Sequence, residues 1–278
     1  MLANYHTHCA FDHGAGPPEE YVRAALARGL RALGFSCHAP APCPTDWNMP
    51  EERAFDYLRE IKRLKEAYRG RIEIYAGMEI DYFPRDERQI FTKYPLDYRI
   101  GSVHNVTDPA SGRYFGIDNT DAEFREALEV CFAGDIRAFA AEYYGLLRRM
   151  LREERPEIIG HFDLIKKMNR DGRYFNEQSA WYRELAYGAL RDAAAAGAVL
   201  EVNTGGLNRG STAEYYPSPW ILAEAGRLGI PVHFGSDAHL PEHLDGYYPE
   251  AVAGMKAAGY TTQRVLLGGG WIEVDLGD

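Results

Sequence analysis

The sequence predicts an α/β fold, a closed or nearly closed parallel barrel, on three observations. Short apolar runs of strand character alternate with helix-patterned segments along all 278 residues. That order implies a parallel sheet with right-handed crossovers, and seven or eight such units suffice to close it. Third, nearly every strand candidate ends in a side chain able to bind a metal, and in such a barrel all C-terminal strand ends open onto one face.

The first strand candidate spans 3–6, inside the opening "NYHTHCAFDHGAG". His6 and His8 stand two apart, so the period of a strand puts both imidazoles on one face. His13 follows on a turn-like segment ending in Gly14 and Gly16 that folds it back toward them. Further strand candidates lie at 32–37, 72–78, 98–104, 158–162, 199–203 and 232–236, with a last run near 271–274. Helix candidates fall between them at 18–28, 51–68, 85–93, 122–155, 177–196, 219–227 and 249–258. The 122–155 segment divides at Gly134-Asp135, where Gly caps one helix and Asp starts the next. With no linker and no low-complexity stretch, residues 1–278 read as one domain.

Composition narrows the function. The content is 46% hydrophobic and 26% charged, and the formal net charge is -10. That acidic balance argues against a nucleic-acid groove, which needs clustered Lys and Arg. No apolar run approaches the length of a bilayer span and no signal-peptide pattern is visible, so the expectation is a cytoplasmic protein without membrane contact. Four cysteines without CxxC or framework spacing fit a reducing compartment. An anionic substrate would then find its positive charge in bound divalent cations.

The metal-capable strand ends are His6 with His8, His38 in "FSCHAP", Glu79 in "AGMEIDY", His104 in "GSVHN", His161 in "IGHFD", and Asp237 with His239 in "FGSDAH". A lone histidine at a strand end is most often a hydrogen-bonded structural residue; the joint placement is what points to a site. His243 falls off the pattern, and His233 lies within its strand as a satisfied neighbour. Imidazoles mixed with carboxylates suit zinc, manganese or iron. The set is too large for one ion, and a bridging carboxylate would let two ions clamp the oxygens of a phosphoryl transfer. Strand alternation turns Cys9 and Cys37 away from this face.

Together "HTH", the histidine after a Gly-flanked turn, "HAP", "GMEIDY", "SVH", "GHFDLIKK", "EVNTGG" and "GSDAH" resemble the polymerase and histidinol phosphatase (PHP) superfamily, from residue 5 to about 240. Within it the chain is similar to the histidinol-phosphate phosphatases of histidine biosynthesis. The resemblance implies a distorted (β/α)7 barrel with three divalent metal ions at the C-terminal strand ends. The first would take His6, His8, Glu79 and Asp237; the second would share Glu79 and add His104 and His161; the third would take His13, His38 and His239. It implies hydrolysis of L-histidinol phosphate to L-histidinol and inorganic phosphate, with a metal-bridging hydroxide as nucleophile.

Lys166 in "LIKK" and Arg209 in "NTGGLNRG" are the expected phosphate clamp, with Lys167 a rival to Lys166. Asn203 is expected to orient a phosphate oxygen or support a ligand, and Asp81 to orient a ligating histidine. Asp237, His239 and a metal-bound water are the candidates for protonating the leaving group; Asp46, Asp81 and Asp118 are those for the substrate amine. Two rival readings are a PHP-type phosphodiesterase or nucleotide phosphatase and a non-catalytic metal-binding module. Substrate preference separates the first from the main reading, and the response to chelation separates the second.

Overall fold

The computed structural model describes residues 3–43, 45–84, 86 and 89–277. In chain order the elements are β1 (Ala3–Asn4), α1 (Pro18–Ala27), β2 (Ala32–Phe35), α2 (Ala54–Ala67), β3 (Glu73–Asp81), α3 (Ile90–Lys93), β4 (Tyr98–Ser102), β5 (Asn105–Thr107) and β6 (Tyr114–Gly116). There follow α4 (Asp121–Phe132), α5 (Ile136–Glu153), β7 (Ile158–Ile159), α6 (Ala180–Ala196), β8 (Val199–Asn203), α7 (Gly205–Asn208), α8 (Pro219–Arg227), β9 (Val232–Gly235), α9 (Tyr248–Ala257), β10 (Thr262–Leu267) and β11 (Gly270–Asp275). Short 3₁₀ turns occupy Glu51–Arg53, Leu164–Met168, Arg170–Gly172 and Pro241–His243.

Seven strands form one sheet in the order β1-β2-β3-β4-β7-β8-β9, every neighbouring pair parallel. Its two edges meet just past the ends of β1 and β9. There Thr7 bridges Ala238, the His8 N–H donates to the Ala238 carbonyl at 2.9 Å, and the Ala238 N–H donates to the His6 carbonyl at 3.1 Å. The barrel is therefore nearly closed, and the closing contact is made by the segments that carry His6, His8 and Asp237.

Local chemistry sets the helix ends as expected. Pro18 and Pro219 open α1 and α8 at their first turns, where a missing N–H costs nothing. Between α4 and α5 the chain passes through left-handed Ala133 and Gly134, and Asp135 caps α5 by accepting from the Arg137 and Ala138 N–H groups. One expectation needs correction. The 85–93 helix is described only as the single turn α3, its start at Arg85 lying outside the described residues. The run at 271–274 is a strand as expected, but it stands outside the barrel sheet, in β11, which pairs antiparallel with β10.

That hairpin plugs the N-terminal mouth of the barrel. Val265 and Leu266 join Tyr5, Tyr98, Ile100 and Ile158 in one buried cluster, and the Tyr5 hydroxyl both donates to the Leu266 carbonyl and accepts from its N–H. A larger apolar cluster fills the space between sheet and helices. With one mouth plugged, the opposite end remains as the open face. No helix among the described residues is long and apolar enough to cross a membrane.

Candidate metal centre

At the C-terminal mouth the side chains converge on Glu79, which projects from β3 and is 1% exposed. His161 Nε2 lies 2.8 Å and His104 Nε2 3.6 Å from its Oε1; His6 Nε2 lies 3.1 Å, His8 Nε2 3.4 Å and His38 Nδ1 3.4 Å from its Oε2. Asp237 faces the same centre, with His8 Nε2 at 3.3 Å. Ligand atoms gather within 4.8 Å in three sets: His8, His13, His38 and His239; His6, His8 and Asp237; His38, Glu79 and His104. Every expected ligand except His161 falls in one of these sets, and His161 touches Glu79 directly. His8 and His38 each stand in two sets, so the ligands form one continuous cluster rather than three separate nests.

The outer nitrogens of these rings are held by carboxylates. His6 Nδ1 bonds Glu201 Oε1 at 2.6 Å, His8 Nδ1 bonds Asp12 Oδ2 at 2.6 Å, and His104 Nδ1 bonds Asp81. Each carboxylate fixes a tautomer with the remaining nitrogen turned inward, the arrangement that orients metal ligands. Asp81 thus does what the sequence suggested. Glu201 and Asp12 are functional positions that sequence reasoning missed, although a lone acid inside the apolar strand "VLEVN" is a signal, because charges are almost never buried unpaired. Backbone is shaped around these groups. A Cβ on Gly235 would lie 1.9 Å from Glu201 Oε1, and one on Gly205 2.5 Å from Asp237 Oδ2. Asp237 itself sits at φ 48°, a costly region for a side-chain-bearing residue and one that clusters at active sites.

Burial works against every charge here, and the balance is struck by neighbours. It pushes His6 and His104 down, yet the carboxylates of Glu201, Glu79 and Asp237 around the first, and of Asp81 and Glu79 around the second, raise each to about 10. Burial drives His38 down to about 3 and His239 well below its usual value. Burial would raise the Asp237 carboxyl, but Arg209 and His6 more than offset this and hold it well below the carboxylate range. An ionised Asp237 offers lone pairs and no proton, which suits it to hold a cation rather than to protonate a leaving group. The ionised carboxylates and the neutral imidazoles of His38 and His239 offer lone pairs toward one point, which suits a divalent cation, and among the described residues the buried His8 Nε2 and His38 Nδ1 have no hydrogen-bond partner.

The PHP domain family matches residues 4–205. The chain belongs to that family. Among relatives, a Deinococcus radiodurans protein named "Probable histidinol-phosphatase" is 32% identical over 269 residues, covering 94% of this chain and 95% of its own. The Bacillus subtilis "Histidinol-phosphatase" is 32% identical over 265 residues, covering 88% and 96%. A solved histidinol phosphate phosphatase from Lactococcus lactis, complexed with Zn, L-histidinol and phosphate, shares the fold with a TM-score of 0.68 at 22% identity, covering 95% of each chain. This PHP domain is an enzyme, a hydrolase of phosphoric monoesters.

The PHP site opens into a cavity of about 530 Å³, lined by residues of this cluster together with Asp46, Trp47, Asp118, Asn119, Lys167 and Arg209. Arg209 is where it was expected, donating to Asp237 Oδ2 at 2.9 Å. Lys166 is not. Its ammonium points away from the cavity and binds Glu214 at 2.7 Å, Ser218 Oγ at 2.7 Å and the Tyr215 carbonyl at 3.0 Å, anchoring the 214–218 loop. Lys167 lines the cavity in its place. Asn203 is fully buried behind the site, donating to Glu201 Oε2 and accepting from the Gly205 N–H, so it supports a ligand's partner rather than meeting phosphate. His233 is buried as expected, but its ring nitrogens have no hydrogen-bond partner among the described residues, and burial lowers it to about 4. Cys9 and Cys37 face each other in the core, Sγ to Sγ 3.3 Å, and His243 lies on a 3₁₀ turn outside the cluster.

Glu201→Gln is expected to weaken metal binding about 10- to 100-fold, as loss of such an orienting partner does. The amide keeps the size but presents an N–H₂ to the His6 N–H or to the His161 N–H that Glu201 now accepts. Competition titration with a chromophoric chelator measures it, and unchanged affinity would show that Glu201 does not orient His6.

Proposed function

We propose that the protein hydrolyses L-histidinol phosphate to L-histidinol and inorganic phosphate, as a cytoplasmic enzyme of histidine biosynthesis in which residues 1–278 act as one unit. The observation that carries this reading is a buried cluster of imidazoles and two carboxylates opening into a cavity that the cations Lys167 and Arg209 also line. The relatives at 32% identity are named for this reaction, which supports the substrate assignment.

Three divalent ions, of zinc, manganese or iron, would be held by His6, His8, Glu79 and Asp237, by Glu79, His104 and His161, and by His13, His38 and His239. When bound, such ions polarise phosphoryl oxygens and acidify a water toward neutrality. The chain's own groups do the rest. Arg209, fixed by Asp237, and Lys167 meet the phosphate oxygens whose charge grows in the transition state. Glu201, Asp12 and Asp81 hold the ring tautomers, so no reorganisation is needed at the moment of reaction. His239 lies on the wall with its Nδ1 3.1 Å from Arg209, near the same phosphate position.

Phosphate release from L-histidinol phosphate by metal-loaded protein is the test, run beside p-nitrophenyl phosphate, a nucleoside monophosphate and a phosphodiester. The expected result is a kcat/KM for L-histidinol phosphate at least tenfold above the others. Preference for the diester or the nucleotide would overturn the substrate assignment while leaving the site intact.

A further inference from the structure

The cavity wall holds one ion pair that the phosphate clamp does not explain. Lys167 Nζ and Asp118 Oδ2 are 2.8 Å apart, with side chains only 17% and 20% exposed. Asp118 reaches this place on the segment that follows the β5–β6 hairpin, an insertion between barrel strands β4 and β7. Its carboxylate is close enough to His104, His161 and Arg209 for its charge to act on them. Asp46, the other acid on this wall, is exposed and shared with a neighbouring groove. A half-buried ion pair is worth little net of the desolvation and ordering of its side chains, so each member is open to exchange for a better-placed partner.

A phosphate ester of a 2-amino alcohol carries its ammonium two carbons from the ester oxygen. Standard bond lengths therefore hold nitrogen within about 5 Å of phosphorus. An ester seated with phosphate between Lys167 and Arg209 must place its ammonium beside the clamp, and Asp118 is the less exposed of the two acids on that wall. We propose that the Lys167–Asp118 pair is a clip for zwitterionic phosphate esters: Lys167 turns to the phosphate, Asp118 takes the substrate ammonium, and one internal ion pair is replaced by two to the substrate. The inference rests on the phosphatase reading above and assigns Asp118 as the residue that selects the amine.

The test is the ratio of kcat/KM for L-histidinol phosphate to that for the same ester with hydrogen in place of the amine, 3-(imidazol-4-yl)propyl phosphate. A ratio taken within one preparation is insensitive to the fraction of enzyme that has folded. Asp118→Asn, and Asp118→Ser as a second variant, are expected to lower this ratio about 10- to 100-fold, the scale of a lost hydrogen bond to a charged group. Lys167→Gln is expected to lower kcat/KM for both esters while keeping the ratio. A wild-type ratio preserved in both Asp118 variants would overturn the clip, as would a collapse of the ratio in Lys167→Gln alone. Should the wild-type enzyme fail to turn over L-histidinol phosphate, the substrate reading falls by itself. The clip is then judged by inhibition of p-nitrophenyl phosphate hydrolysis, where O-phosphoethanolamine should outcompete ethyl phosphate in wild type and lose that advantage in Asp118→Asn.

Discussion

Replacing Glu79 by glutamine is expected to cut phosphate release by on the order of 10³-fold, corresponding to about 4 kcal/mol of lost transition-state stabilisation. Among the described residues Glu79 is the carboxylate that most of the cluster meets: five imidazoles approach its two oxygens at 2.8 to 3.6 Å, and Ser102 donates to Oε1 at 2.7 Å. The amide removes a charge from the middle of the cluster and aims an N–H₂ where only acceptors belong. The surrounding β3 pairing to β2 and β4 is made by backbone and is left in place. Turnover and bound metal measured on the same samples should fall together. A Glu79→Gln enzyme within tenfold of wild type would remove Glu79 from the centre of the mechanism.

Stripping the protein of divalent ions is expected to abolish turnover by a similar or larger factor while the fold persists, and added zinc or manganese should restore the rate. Persistence follows from what holds the barrel together. Its interior is closed by Tyr5, Tyr98, Val265 and Leu266, its exterior by the large apolar cluster, and neither contains a ligand. The site also satisfies part of its own charge, with His6 against Glu201 and His8 against Asp12. Small structural metal sites behave otherwise, since there the binding energy is the folding energy. Far-UV circular dichroism before and after chelation distinguishes the two, and loss of the helical signal together with activity would assign the ions a structural role.

The candidate ligands were legible in the sequence for a geometric reason. Parallel strands alternating with helices must present their C-terminal ends on one face, so His6, His38, Glu79, His104, His161 and Asp237 were bound to meet wherever the barrel closed. The break at Gly134-Asp135 was equally readable, because helix caps depend on a few adjacent residues. The last run at 271–274 was read as a strand, which it is, but its place outside the barrel was not readable. Strand periodicity is identical for a parallel barrel strand and an antiparallel hairpin, and only the pairing of β11 with β10 separates them.

Side-chain direction within irregular segments was the other boundary. Lys166 and Lys167 are adjacent on a 3₁₀ turn, where each residue advances the chain by about a third of a revolution. Which one meets the cavity depends on how that turn is rotated by its packing, and Asp163, Glu214 and Ser218 drew Lys166 to the far side. Asp12 and Glu201 acquire their roles only when distant segments are brought together, Glu201 lying 195 positions from the His6 it orients. The sequence by itself therefore determined the fold class and the candidate ligands at the strand ends, since both follow from local periodicity and strand order. Tertiary structure alone decided which carboxylates back the candidate ligands, which lysine lines the cavity, and that Asp118 stands beside it, because those depend on rotations and long-range contacts that no local pattern encodes.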